Sequence, residues 1–175
     1  MSHNSSMPAH AASASSAIVP TGRRERLAGG TQQILTFKLG AEEYGLGVLT
    51  VQEIRGWSAV TAIPHAPAWV LGVIDLRGAV VPVIDLRRRF ELAPAEFGPA
   101  TVVIVLRIAG GGEERTIGLL VDAVSEVYDI DGDNIRELPE IGSRVAGDVV
   151  TGLVHVDGKT VILLDAQRLI ASASQ

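Results

Sequence analysis

The stretch Gly72-Val-Ile-Asp-Leu-Arg-Gly-Ala-Val-Val-Pro-Val-Ile-Asp-Leu-Arg87 decides how the chain folds. It holds two short segments rich in β-branched residues, which favour a pleated and half-buried surface. Gly78 lies between them and accepts a positive φ without steric cost, so the pattern predicts two strands joined by a tight turn at residues 76–78. Pro82 cannot donate a hydrogen bond to a neighbouring strand, which indicates an edge strand or a bulge there.

The same pattern returns in the second half of the chain, as part of a longer repeat. The matched pairs are 34–39 with 103–108, 44–48 with 117–121, 51–54 with 124–127, 72–78 with 152–158, and 80–86 with 160–166. The pairs follow one another in the same order in both halves. Because the strands are many and short and the helices few, the repeat predicts an all-β protein of two similar small barrels that share a hydrophobic core. A partner is then expected to bind in the groove between the barrels.

Composition narrows the class of protein. The 175 residues include no cysteine, which excludes disulfides and zinc–thiolate sites, and no apolar run reaches the length of a membrane-spanning helix. A net charge of −5 and an aromatic content of 4% argue against nucleic acid as the partner. Residues 1–30 are rich in Ser and Ala and predict a disordered tail without a secretory signal, so we expect a cytoplasmic protein with no direct insertion into the membrane.

Three acidic residues, Asp75, Asp85 and Asp165, each follow an apolar strand and superficially resemble the paired acids of a two-lobed aspartic protease. That dyad needs an Asp-Thr/Ser-Gly turn in each lobe, so that two carboxylates can share one proton. Here the acids are followed by Leu-Arg or Ala-Gln. The sequence therefore does not predict a protease.

Metal and cofactor motifs are equally weak. Residues 129–134 begin like a calcium loop, but Gly132 falls at the fourth position where the sixth is required. The four histidines have no metal-binding spacing, and there is neither a phosphate-binding loop nor a nucleophile elbow. We therefore expect no cofactor, no metal and no catalysis, and the protein is predicted to act by binding.

Several ordered motifs carry a family resemblance. Val51-Gln-Glu-Ile-Arg-Gly56, Gly72-x-x-Asp-Leu-Arg-Gly78 and Pro82-Val-Ile-Asp-Leu-Arg87 resemble the CheW family of bacterial chemotaxis coupling proteins, and residues 101–106 and 151–153 match its second half. Asp75 departs from the family pattern, which commonly has asparagine there. The resemblance extends from about residue 33 to residue 170.

The resemblance implies a domain over 31–170 made of two five-stranded SH3-like barrels with short helical segments. We expect the first barrel over about 44–100 and the second over about 101–170, completed by the strand 34–39. It also implies partners, namely a CheA-type histidine kinase and the cytoplasmic tips of chemoreceptors in arrays beneath the membrane. A related scaffold of a non-motility chemosensory pathway is the alternative.

Site residues follow from the same resemblance by motif position. The implied roles are a receptor-binding groove (Val48, Val51, Gly118), a coupling ion pair (Glu53, Arg77), and binding or barrel geometry (Gly72, Thr101, Gly152). The ion pair is expected to hold the 72–87 hairpin against the strand that carries Glu53. The residues that contact the kinase are predicted only as far as the hairpins of the first barrel.

Overall fold

The computed structural model describes residues 30–110, 112–138 and 148–173, and the predicted disordered tail lies outside these residues except for Gly30. The prediction of an all-β fold is confirmed. The strands are β1 (Thr31–Leu39), β2 (Glu42–Gly47), β3 (Val51–Gly56), β4 (Val70–Leu76), β5 (Ala79–Asp85), β6 (Val102–Gly110), β7 (Glu113–Val121), β8 (Ala123–Asp131), β9 (Val150–Val156) and β10 (Lys159–Leu164), and the helices are α1 (Leu86–Arg89) and α2 (Ala166–Ala173).

The strands form two five-stranded sheets. One has the order β3-β6-β7-β5-β4 and is called barrel one below, and the other has the order β8-β1-β2-β10-β9 and is called barrel two. The segment after the first strand of each order closes its barrel through one bridge to the last strand, Thr61 to Val73 in barrel one and Arg136 to Leu153 in barrel two. Equivalent bridges in both sheets follow from the sequence repeat.

The strands are divided between the barrels differently from the predicted boundaries of 44–100 and 101–170. β2 belongs to barrel two, and β6 and β7 belong to barrel one. β1 does pair with β8, in the C-terminal half, as expected for the strand 34–39. Each barrel thus combines the first two strands of one repeat with the last three of the other. The repeat could not reveal this exchange. The equivalent hairpins β1–β2 and β6–β7 have the same apolar pattern, so the sequence does not show which of them pairs with the strands of each barrel.

The exchanged hairpins bury both of their faces. On β1, Leu35, Phe37 and Leu39 join a core shared by the two barrels, whereas Ile34 points into the interior of barrel two. Phe37 stacks on Tyr44 with ring centroids 5.9 Å apart. A strand that is buried on both faces has apolar residues at most positions. The sequences of these segments therefore do not alternate cleanly between polar and apolar residues.

The acids that follow the strands cap helices. Asp85 accepts hydrogen bonds from the backbone N–H groups of Arg87 (2.9 Å) and Arg88 (3.4 Å) at the start of α1. Its equivalent, Asp165, accepts one from the N–H of Arg168 (3.2 Å) at the start of α2. Both carboxylates therefore satisfy backbone donors that a helix N-terminus leaves unpaired. In the described part of the chain, neither helix has the length and apolar character needed to cross a membrane.

Candidate functional site

The tip of the β4–β5 hairpin places an arginine in a strained backbone conformation. Arg77 and Gly78 have φ angles of 53° and 88°, and Leu76 pairs with Ala79 around them. Two successive positive φ values are typical of a type I′ turn, whose twist matches that of the strands. The carboxylate of Asp75 accepts a hydrogen bond from the N–H of Gly78 at 2.8 Å. For a non-glycine residue the left-handed conformation costs about 1–2 kcal/mol.

Arg77 reaches from this tip to the opposite edge of the sheet. Its Nη2 lies 3.0 Å from Oε2 of Glu53 on β3, so the predicted ion pair is present. The Arg77 side chain is 74% exposed and that of Glu53 is 23% exposed. β3 and β4 are the two outer strands of the sheet, so the ion pair connects one outer strand with the hairpin that follows the other. An ion pair this exposed stabilises the fold by at most about 1 kcal/mol, so its main effect is on surface shape.

A second ion pair lies across a cavity from the first. The cavity has a volume of about 200 Å³, and both Arg77 and Arg107 line it. Arg107 Nε is 3.1 Å from Oε2 of Glu114. We call this surface the barrel-one mouth, and its residues are Glu53, Arg77, Arg107 and Glu114 around Leu76, Ala79 and Val81. Arg107 and Glu114 were not predicted from the sequence, although opposite charges on either side of the glycine run at 110–112 are a usable signal for a cross-strand pair.

The other candidate surface is the 3-10 turn Val48–Thr50, called the crossover turn because it carries the chain from barrel two to barrel one. Val48 and Val51 are partly buried and pack against the shared core. Leu49 between them has a relative exposure of 101%. The hydroxyl of Thr50 donates to the carbonyl of Gly47 at 2.7 Å and fixes the turn. The crossover turn therefore exposes one whole leucine side chain beside two half-buried valines.

Gly118 lies on β7, two strands away from Val51 on β3. It is buried on β7, and a Cβ atom there would lie 2.7 Å from Cγ1 of Val103. Its repeat equivalent, Gly45, meets Cγ1 of Val161 at 3.0 Å in the same way. Both glycines therefore make room for apolar side chains inside the barrels.

The remaining three predicted residues occupy structural positions. A Cβ on Gly72 would lie 2.2 Å from the carbonyl oxygen of Thr61, and one on Gly152 would lie 2.7 Å from that of Arg136, which are the carbonyls of the two closing bridges. Thr101 is buried, and its hydroxyl accepts a hydrogen bond from the N–H of Gly98 at 2.8 Å. These residues shape barrel closure and the loop between the repeats.

No cluster of three His, Asp or Glu side chains that could hold a metal ion occurs among the described residues. In the segment that resembled a calcium loop, the Asp131 carboxylate accepts a hydrogen bond from the N–H of Asp133 at 3.0 Å and caps a 3-10 turn.

Comparison with known proteins agrees with this geometry. The chain is 42% identical over 149 residues to the chemotaxis protein CheW of Klebsiella aerogenes, which covers 84% of this chain and 87% of that protein. It is 37% identical over 142 residues to a probable chemotaxis protein CheW of Rhizobium etli, covering 81% of this chain and 89% of the relative. The crystal structure of the scaffolding protein TtCheW from Thermoanaerobacter tengcongensis superimposes with a TM-score of 0.70 at 33% identity, covering 78% of this chain and 86% of that one.

The model of the CheW-like domain matches residues 33–174, which is nearly the whole described structure. The matched range begins within β1 and ends one residue after α2. The chain therefore belongs to the CheW-like family.

Proposed function

We propose that this chain is a non-enzymatic adaptor that couples chemoreceptors to a CheA-type histidine kinase in cytoplasmic arrays recruited to the membrane. Membership of the family supports this proposal, since several relatives are named as chemotaxis proteins and one as a scaffolding protein. The observation that carries it is the crossover turn, where a fully exposed Leu49 lies at the junction of two barrels.

The receptor is proposed to bind at the crossover turn. Helices that dock into a groove present an apolar stripe, and their partner supplies a few apolar anchors. Val48 and Val51 offer half-buried surface, and Leu49 offers a whole side chain. Burying a leucine contributes about 2 kcal/mol, which is enough to make this one residue important to the affinity.

The kinase is proposed to bind at the barrel-one mouth. Arg77, Arg107 and Glu114 line the cavity there beside apolar side chains, and Glu53 pairs with Arg77. Charged and apolar groups together can give both affinity and orientation to a docked domain. The two surfaces share β3, because Val51 begins the strand at the crossover turn and Glu53 lies two residues along it. The shared strand gives a physical route by which occupancy of one surface biases the other, although its pairing with β6 shifts register between Val51 and Glu53.

The test replaces Leu49 by serine and measures binding to a chemoreceptor tip fragment by isothermal titration calorimetry. Val80→Ser is the matched control, because Val80 is also strongly exposed but lies on the β4–β5 hairpin. Leu49→Ser is expected to weaken receptor binding at least about tenfold and to leave the free energy of unfolding unchanged. Val80→Ser is expected to leave receptor binding unchanged. Equal affinity of Leu49→Ser and the unmodified chain would refute the receptor surface.

A further inference from the structure

The chain crosses between the barrels twice, near opposite ends of the β1–β2 ladder. The first crossing is the crossover turn, which follows Gly47, the partner of Ile34 in the β1–β2 ladder. The second is Asp122, which lies between β7 in barrel one and β8 in barrel two, where Ala123 pairs with Lys38. Lys38 is four residues along β1 from Ile34, a distance of about 13 Å.

The second crossing is fastened by a group of polar contacts from both barrels. Arg87 of α1 donates from Nε to Oδ1 of Asp122 at 2.7 Å and from Nη2 to Oδ2. Oδ2 also accepts from the N–H of Gly40 in the β1–β2 turn at 2.7 Å. The N–H of Asp122 donates to the carbonyl of Lys38 at 3.0 Å. We call Arg87, Asp122 and Gly40 the clamp, because its members come from both barrels and from the crossing itself.

The hydrogen bonds of the clamp have a preferred geometry, so they can fix the orientation of the groups that they join. A guanidinium that meets a carboxylate with two parallel hydrogen bonds fixes both distance and plane, which a lysine cannot do. The Arg87 and Asp122 side chains are only 17% and 29% exposed. The hydrogen bond from Arg87 holds the pKa of Asp122 below its ordinary value, and the same bond raises the pKa of Arg87. By contrast, the shared core between the barrels is apolar and its attraction has no preferred direction.

The sequence repeat shows that only one crossing is built this way. In the repeat alignment Leu49 stands at the position of Asp122, and Gln167 stands at the position of Arg87. A leucine and a glutamine cannot form an ion pair, so the clamp has no counterpart at the crossover turn. One end of the boundary between the two barrels therefore has an ion pair, and the equivalent positions at the other end hold a leucine and a glutamine.

We infer that Arg87 and Asp122 are positioning residues for the receptor surface. The clamp fixes the relative orientation of the two barrels, and this orientation holds the crossover turn in the position that binds a receptor helix. This inference rests on the proposed function and deepens it. Neither residue is expected to contact the receptor, since both lie at the far end of the β1–β2 ladder from the crossover turn.

The orientation of the barrels can be measured without any partner. The chain has no cysteine, so Val80→Cys and Thr160→Cys, at equivalent exposed positions of the two barrels, accept a pair of spin labels. Asp122→Asn and Arg87→Lys are expected to broaden the distance distribution between the labels. Asp122→Glu, which keeps the carboxylate, is expected to restore much of the narrow distribution.

Lys159→Gln is the control for general loss of stability. It removes a cation that lies 3.5 Å from the buried Glu43, and both residues belong to barrel two. This variant is expected to leave the distance distribution as narrow as that of the unmodified chain. An unchanged distribution in Asp122→Asn, or equal broadening in Lys159→Gln, overturns the inference.

Receptor affinity is then measured on the same variants without labels. Asp122→Asn is expected to bind a chemoreceptor tip fragment about tenfold more weakly, and Lys159→Gln with unchanged affinity. A broadened distribution with unchanged affinity overturns the positioning role. If the unmodified chain does not bind the fragment, the proposed function fails, whereas the distance measurement still decides whether the clamp orients the barrels.

Discussion

At the scale of single residues, Arg77 combines a strained backbone with a modest ion pair. Its φ of 53° costs free energy that the exposed contact with Glu53 at 3.0 Å offsets only in part. The hairpin would be as stable with a residue that accepts this conformation more readily. An arginine at such a position indicates that its side chain serves the surface more than the fold.

Arg77→Asn separates these two roles. Asparagine accepts the left-handed conformation, so the free energy of unfolding is expected to change by no more than about 0.5 kcal/mol. Kinase binding is expected to weaken about tenfold, as measured by calorimetry with the regulatory domain of a CheA-type kinase. Asp157→Asn is the control, because Asp157 has a φ of 52° at the equivalent tip of the β9–β10 hairpin. Kinase affinity lowered equally by both variants would contradict a specific role for Arg77.

Gly152→Ala tests the closure of barrel two. The new Cβ would lie 2.7 Å from the carbonyl oxygen of Arg136, and a backbone atom cannot move away cheaply. We expect a loss of about 2 kcal/mol in the free energy of unfolding, measured in urea. Gly56→Ala is the control, since no atom lies within 4 Å of its Cβ position. A Gly152→Ala protein as stable as the control would show that the closing bridge is not a tight contact.

At the scale of secondary-structure elements, the sequence predicted most strands but not their partners. The five matched segments occupy equivalent places in the two sheets, so the repeat correctly predicted two similar small barrels, and the family resemblance correctly implied five strands in each. It could not predict that the β1–β2 and β6–β7 hairpins are exchanged, because both hairpins carry the same apolar pattern. Pairing is set by packing across the shared core, which no local pattern encodes.

The candidate site was predictable to a similar extent. The Glu53–Arg77 pair could be expected, because family motifs place both residues and the turn places Arg77 at a tip. The Arg87–Asp122 pair could not, since its members are far apart in sequence and belong to elements whose contact depends on the hairpin exchange. Leu49 was missed because an apolar residue between two valines is more often buried than exposed.

The exchange of hairpins predicts that the barrels do not unfold independently. Val105→Ala in barrel one and Val154→Ala in barrel two each remove buried methyl groups and should cost about 1–3 kcal/mol. Native-state hydrogen exchange is expected to show that either variant lowers protection of the most stable amides in both barrels by a similar amount. Loss of protection confined to the barrel that carries the substitution would contradict this cooperativity.

At the scale of the whole molecule, the clamp makes the free energy of unfolding depend on pH in the acidic range. The pKa of Asp122 is lowered in the folded state, chiefly by the hydrogen bond from Arg87. A lowered pKa means that the stabilisation is fully present above the ordinary pKa of an aspartate, about 4, and is lost as the pH falls through the folded value.

The unfolding free energies of the unmodified chain and of Asp122→Asn are therefore expected to differ by about 1 kcal/mol at pH 7. The difference should shrink progressively below about pH 4, as urea unfolding at a series of pH values would measure. A difference that stays constant from pH 7 to pH 3 would mean that the Asp122 charge does not stabilise the fold.

The central claim is that one small protein links two partners through two separate surfaces. It is tested most directly by co-sedimentation of a CheA-type kinase with receptor-bearing vesicles, in the presence of the unmodified chain, Leu49→Ser or Arg77→Asn. The kinase is expected to sediment with the vesicles only when the unmodified chain is present. Leu49→Ser should bind kinase but remain with it in the supernatant, and Arg77→Asn should sediment without kinase. Kinase that sediments equally well without the chain, or with both variants, would contradict the account.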